Sequence, residues 1–195
     1  MMKRRPLLAG LGMTGLGMTG LALAGCASPD PELYRLVAVP GAPRAGAPGL
    51  IELRRVGVPA YLDRSQIMRA VAASQLQALG ARWVEPFGDM VTRVLAEDLM
   101  QRLAGTTVLT ETGSLRGEAG LIIETEVQRF EAGPGPQVVL VAQFTLRPPG
   151  GATRAARVQR VEAPMQGDGM PAIVAAMSAA LGQLADVLAG LAVMR

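Results

Sequence analysis

Lys3-Arg4-Arg5 is followed by nineteen residues without a charge, Leu7 to Gly25, and the run stops at Cys26, the single cysteine of the 195-residue chain. A basic start, an apolar stretch and small residues before a break point are the pattern of a secretory signal peptide, here residues 1–25. The run is also long enough for a transmembrane helix. Six glycines and two threonines dilute its hydrophobicity and weaken a helix, however. The consequence for the fold is severe. About an eighth of the chain is expected to leave, and what remains has no internal disulfide to lean on. The rest must hold itself together by burial, and a chain that is 50% apolar has the means.

The tetrapeptide at the break, Leu23-Ala24-Gly25-Cys26, resembles the bacterial lipobox. Small residues at 24 and 25 let a signal peptidase approach the bond. The Cys26 thiol then carries diacylglycerol and its freed amine takes a further acyl chain such as palmitate. Several chains, at about 0.8 kcal/mol per buried CH₂, give stable anchoring where one would be marginal. Arg4-Arg5-Pro6-Leu7-Leu8 resembles a weak twin-arginine signal, so export by that route and by the Sec route both remain open. Ala27, where an enteric-type inner-membrane retention signal would have Asp, points to the outer membrane, with the protein facing the periplasm. Residues 26–31 are then a short lipidated tether and residues 32–195 a single domain.

Removing the leader also changes the charge. The chain has 19 Lys+Arg against 16 Asp+Glu, and Lys3, Arg4 and Arg5 account for the excess. The basic balance therefore argues for no nucleic-acid partner, and at 3% aromatic there is little to stack on bases. No histidine is present, which excludes Ser-His-Asp and Cys-His catalysis and histidine-held metals. No cofactor or metal is expected, and no enzyme activity. The competing enzyme reading rests on Glu124 and Glu126, a carboxylate pair of the kind a glycosidase uses. Two residues apart on a strand they share a face, which is also how a solvated strand looks.

Strand signals cover Leu33–Val39, Leu50–Val58, Thr107–Glu111, Leu121–Glu131, Gln137–Arg147 and, more weakly, Thr153–Val161. Pro40–Gly49 reads as a loop. Periodicity leaves Gln66–Val71 and Gln75–Leu79 open between a hairpin and a helix. Two helices are clearer. In residues 86–103, Phe87, Val91, Val94, Leu95, Leu99 and Leu103 recur at spacings of three and four, with Pro86 in the first turn and Gly105 beyond the end. Residues 171–193 carry Ile173, Met177, Leu181, Leu184 and Leu188 on one face and small residues such as Ser178, Gly182 and Ala185 on another. With Asp186 its single internal charge, this helix is expected to be mostly buried, against the sheet or a neighbouring subunit. The expected fold is α+β, a mixed sheet of about five to seven strands packed by these two helices.

Val58-Pro59-Ala60-Tyr61-Leu62-Asp63-Arg64-Ser65-Gln66-Ile67, followed by Arg82-Trp83-Val84-Glu85-Pro86-Phe87, resembles the two motifs of the ABC-type transport auxiliary lipoproteins, the family of paraquat-inducible protein C. The resemblance implies a periplasmic accessory subunit that supports outer-membrane integrity. It would work beside an MCE-domain protein and its ABC permease and ATPase, in transport of lipid between membranes. A homo-oligomer around such a tube is a further expectation. An envelope-assembly or structural lipoprotein without a transport role is the alternative.

Tyr61, Asp63 and Arg64 are candidate partner contacts by this resemblance. The competing reading is structural, with Leu62 buried, Asp63 capping a turn and Arg64 paired. Arg154, Arg157 and Arg160, with Arg147, make a basic stretch without an acid. Such a stretch suits lipid phosphates or an acidic partner, or simply guards a strand edge. Trp83, the only tryptophan, is expected to plug the core beside the first helix.

Overall fold

The structure, a computed structural model, describes residues 30–194. The expected signal peptide, its cleavage site and Cys26 lie outside the described residues. In chain order the elements are β1 (Leu33–Tyr34), β2 (Leu50–Leu53), β3 (Gln66–Ala72), β4 (Gln75–Trp83), α1 (Phe87–Arg102), β5 (Thr107–Thr110), β6 (Leu121–Ala132), β7 (Gln137–Arg147), β8 (Ala155–Pro164) and α2 (Gly169–Ala192). The α+β expectation holds, with eight strands in one mixed sheet. The count exceeds the expected range because the ambiguous runs at 66–79 form a hairpin, β3–β4. Its pairing to β6 and β1 decides this, and local periodicity carries no trace of those partners.

β6 organises the sheet. One edge pairs antiparallel with β7, which pairs antiparallel with β8. The other edge is shared. Ile51–Leu53 lie parallel to Leu121–Ile123, Gly57 bridges Glu126, and Arg69 lies opposite Ala132. From Ile51 to Arg69 the chain thus runs alongside β6 in one direction, interrupted by an excursion at Pro59–Ser65. At Gly57 the two backbones lie close and the Glu126 carboxylate fills the place a Cβ would take, 1.8 Å from Oε2.

Both helices cover one face. Period-two alternation turns Val138, Leu140, Ala142, Phe144 and Leu146 of β7 inward, all buried, into one core with Leu181, Leu184 and Leu188 of α2, which packs on β7, and Val91, Val94 and Leu95 of α1, which packs on α2. α2 is long and apolar enough to cross a membrane, yet 72% of its most apolar stretch is buried in the body, so it serves as the core helix.

The segment expected as a strand to Val39 leaves the sheet after Tyr34. It becomes an extended strap, Leu36–Arg44, laid across α1 and α2. Three of its donors are taken by side chains, and the Arg44 N–H goes to the Arg102 carbonyl at 2.7 Å. The Leu36 N–H reaches Met90 Sδ at 3.3 Å, that of Val37 reaches Ser178 Oγ at 3.2 Å, and that of Val39 reaches Asp98 Oδ1 at 2.9 Å. Ser178 can accept because its own proton goes to the Val174 carbonyl one turn back. Thr92 does the same on α1, donating to the Gly88 carbonyl and accepting from Val56 N–H at 2.9 Å. The small side of α2 is thereby used within the chain: a Cβ on Gly182 would meet Val39 Cγ2 at 2.1 Å.

Candidate functional site

The two motif segments meet. β3 and β4 pair Gln66 with Arg82, and the Trp83 N–H donates to the Ser65 carbonyl at 2.8 Å. Trp83 is buried and stacks on Phe87 with ring centroids 5.3 Å apart, and Phe87 packs on Phe130 at 5.7 Å. This plugs the core at the start of α1, where a tryptophan contributes most by area. Pro86 has no side chain to cap α1. Asp63 supplies the missing oxygen from 25 residues away, its Oδ1 accepting from the Gly88 N–H at 3.4 Å.

Tyr61 is anchored as well. Its hydroxyl donates to Glu131 Oε2 at 2.9 Å, and Glu131, buried, also accepts from Arg129 Nε at 2.9 Å and the Phe130 N–H at 3.1 Å. Burial first, then the bond to Glu131, pushes the phenol well above its usual range. Two of the three candidate contacts are therefore engaged in holding the excursion. Arg64 is exposed on the rim of a cleft of about 450 Å³ lined also by Asp63, Ser65, Val84, Glu85 and Pro86. Glu85 pairs with Arg93 Nη2 at 2.6 Å.

The basic stretch divides. Arg157 lies opposite Phe144, on the helix-covered side of β8, whereas Arg160 lies opposite Val141 on the open side and pairs with Glu162 at 2.6 Å. Arg154 precedes the strand, and Arg147 pairs with Glu124 at 3.1 Å. No single face carries them all.

Glu124 and Glu126 face a cleft of about 640 Å³ on the open side of the sheet, lined also by Arg54, Arg55, Glu111 and Thr145. Glu124 accepts from Thr145 Oγ1 at 2.9 Å and from Arg147, and these bonds, that to Arg147 foremost, hold its carboxyl below the usual range. A glycosidase acid needs the opposite shift.

A charged cluster that the sequence did not announce lies beneath the strap. Arg102, 1% exposed, gives Nε to Asp186 Oδ1 at 2.8 Å, and Nη1 to the Val39 carbonyl at 3.0 Å and to Asp98 Oδ1 at 3.2 Å. Asp98 is fully buried and its Oδ2 has no partner among the described residues; burial raises its pKa to about 6 against the opposing pull of Val39 N–H and Arg102. The i, i+4 spacing of Asp98 and Arg102 was visible, but such pairs usually sit in solvent.

A solved structure described as that of an uncharacterized protein is similar at 19% identity, covering 82% of this chain and 97% of that one, with a TM-score of 0.69. A Xanthomonas campestris protein assigned to the DUF330 family is similar at 20% identity, covering 81% and 92%, with a TM-score of 0.66. Both show the fold. The PelC dodecamer of Paraburkholderia phytofirmans is more distant, 13% identical over 82% and 98% of the two chains with a TM-score of 0.46, and at that score the likeness says nothing of assembly. No curated protein matches the sequence. A family model does, over residues 34–189, taking in both motif segments, the strap and both helices. The chain belongs to the ABC-type transport auxiliary lipoprotein component family, a family of transport accessories and not of enzymes.

Proposed function

We propose that this chain is a lipid-anchored periplasmic accessory subunit of an MCE/ABC-type system that moves lipid between the two membranes, acting at the outer-membrane end. The family match over nearly all of the folded body carries the reading. The sequence supports it independently: Leu23-Ala24-Gly25-Cys26 supplies the anchor, and Ala27 favours outer-membrane sorting. The tether is short. From Cys26 to Pro31 it reaches at most roughly 20 Å at about 3.5 Å per residue, so the body works close to the bilayer. Tethering raises its effective concentration for whatever arrives at that surface. Arg64, on the rim of the motif cleft, and Arg154 and Arg157, beside the β7–β8 turn, are the candidate contacts to an acidic partner surface.

The test is crosslinking in cells followed by recovery of the protein from fractionated envelopes. Recovery of an MCE-domain protein from the outer-membrane fraction is the expected result. Fractionation with the inner membrane, or crosslinks confined to assembly machinery, would turn the reading toward an envelope-assembly lipoprotein. Cys26→Ser should abolish acyl labelling and leave unprocessed precursor or a soluble product; normal labelling of that variant refutes the anchor.

A further inference from the structure

Beyond Ala70 the β3–β4 hairpin stands clear of the body. Every residue from Val71 to Ala78 is exposed, with Val71 at 36% and Leu76 at 40%. From Ala70 to Ala81 there is no charge. Exposed strand edges are normally blunted by lysine, proline or inward-pointing charge. This hairpin has none of these, only irregular register at 66–68 and 70–72, and its apolar Val71 and Leu76 stay exposed at the tip.

The hairpin belongs to a larger surface. β3 runs parallel to β6 with Arg69 opposite Ala132, which brings the hairpin tip level with the β6–β7 turn at 133–136. Arg69 Nε donates to the Gly133 carbonyl at 3.3 Å. A cleft of about 330 Å³ between Leu79, Pro134, Pro136, Met165 and Met170 joins both to the loop leading into α2. Across the hairpin from Ala70 to Ala81, the 133–136 turn and the 165–171 loop, Asp168 is the one charged residue, and Arg69 joins it in lining the cleft. The β7–β8 turn at the other end of the sheet is basic, although Arg147 itself pairs with Glu124. β7 ends there at Arg147, opposite Ile122 near the start of β6, and the chain returns through Arg154 and Arg157.

Chain direction says which end the anchor can reach. β1 lies parallel to β4 with Leu33 opposite Arg82, so Pro31 and Glu32 lead into it from the side of the hairpin tip. Seven residues separate Cys26 from Leu33, and seven separate Gln75 at the tip from Arg82. At about 3.4 Å per residue each span covers roughly 24 Å. In the opposite direction, Arg82 pairs with Gln66, three residues before Arg69, which sets Leu33 level with Arg129 of β6. The start of β6 lies eight residues beyond, roughly 27 Å away. The tether would have to reverse and stretch fully to bring the basic end to the bilayer.

We propose that the hairpin end of the body, which carries few charges, rests on the lipid surface, with the Val71–Leu76 tip at headgroup depth, so that Arg147, Arg154 and Arg157 point away into the periplasm. This rests on the lipid anchor at Cys26. The tip stays shallow, because its unpaired N–H and C=O groups cannot enter hydrocarbon. The basic end is thereby offered to a partner arriving across the periplasm and not to phospholipid.

The test uses the full-length acylated protein in vesicles of phosphatidylethanolamine and phosphatidylglycerol. An environment-sensitive fluorophore is placed on Ser74→Cys at the tip or on Thr153→Cys at the basic end; Cys26 is blocked by its lipid. Co-flotation with vesicles is measured first. The expected result is a blue-shifted tip probe, quenched several-fold more by headgroup-labelled nitroxide lipids than the Thr153→Cys probe. A protein that floats while its tip probe emits as in water, or while the Thr153→Cys probe is the one quenched, overturns the orientation and leaves the anchor standing. A protein that does not float refutes the anchor and the orientation with it. A blue shift without lipid quenching, with tip-to-tip crosslinks, assigns the tip to a second copy and also overturns the proposal.

Discussion

Arg102→Ala should be among the most damaging single substitutions in the body. The guanidinium is 1% exposed and reaches Asp98, Asp186 and the Val39 carbonyl, so the strap and both helices meet on it. Its removal leaves Asp98, fully buried, without a counter-charge and the Val39 carbonyl without a donor. Breaking a buried pair by deleting one partner costs about 3–5 kcal/mol, a large share of the roughly 5–15 kcal/mol that a domain has. The loss should depend on pH. Asp98 already has its pKa raised to about 6, with Arg102 pulling the other way. Without Arg102 it rises further, so the penalty is larger at pH 8, where the carboxylate must be charged or take up a proton, than at pH 5, where it is mostly neutral. Urea unfolding of protein lacking residues 1–26, followed through Trp83, measures both. Arg102→Met combined with Asp98→Asn should recover most of the loss, since the isolated charge is gone. A loss below about 1 kcal/mol, an equal loss at both pH values, or a double variant no better than the single one would refute the reasoning.

Asp98→Asn alone tests the same cluster from the acid. A carboxyl whose folded pKa is raised contributes less stability as pH rises from its ordinary value of 3.8 to about 6, here by up to about 3 kcal/mol. The difference in stability between wild type and Asp98→Asn should therefore shift in favour of the variant across that window and stay flat above it, as read from unfolding midpoints. Tyr61→Phe removes one of the two donors on buried Glu131 Oε2, leaving the Phe130 N–H, and should cost about 1 kcal/mol while leaving membrane association unchanged. Gly182→Ala drives a methyl into Val39 and should lower stability by about 1–3 kcal/mol, with faster amide exchange at Val37 and Val39 as its mark.

Much of this architecture is written in periodicity. The spacing of Phe87, Val91, Val94 and Leu95 placed α1 within a residue or two, and the alternation of Val138 to Leu146 placed β7 and its inward face. Trp83 was correctly expected in the core. What was not legible depended on partners distant in sequence. Leu33–Val39 has strand composition, yet only two of its residues find a strand to pair with; Leu36, Val37 and Val39 place their N–H groups on helix side chains instead. The basic stretch at 147–160 looks continuous in sequence, but a period of two sends Arg157 and Arg160 to opposite faces. Asp98 and Arg102 have the spacing of an ordinary surface pair, and only the strap lying over them makes them a buried one. Asp63, whose structural reading is a cap on a following turn, instead caps a helix that begins 24 residues later.

The strap also sets an order of events. Its contacts run from Val37 to Ser178 across 141 residues and join the Val39 segment to Arg102, which in turn holds Asp186, 84 residues further on. A chain made from its N-terminus presents the strap first and its binding surface on α2 last. Closing a loop that long is slow and has no local reward to offset the entropy. The clasp between the two ends is thus expected to form only when the final helix has emerged, while the segment next to the tether waits open. A truncation within α2 would leave that segment unbound, with Leu36 and Met90 uncovered, which is the kind of surface that envelope chaperones and proteases bind.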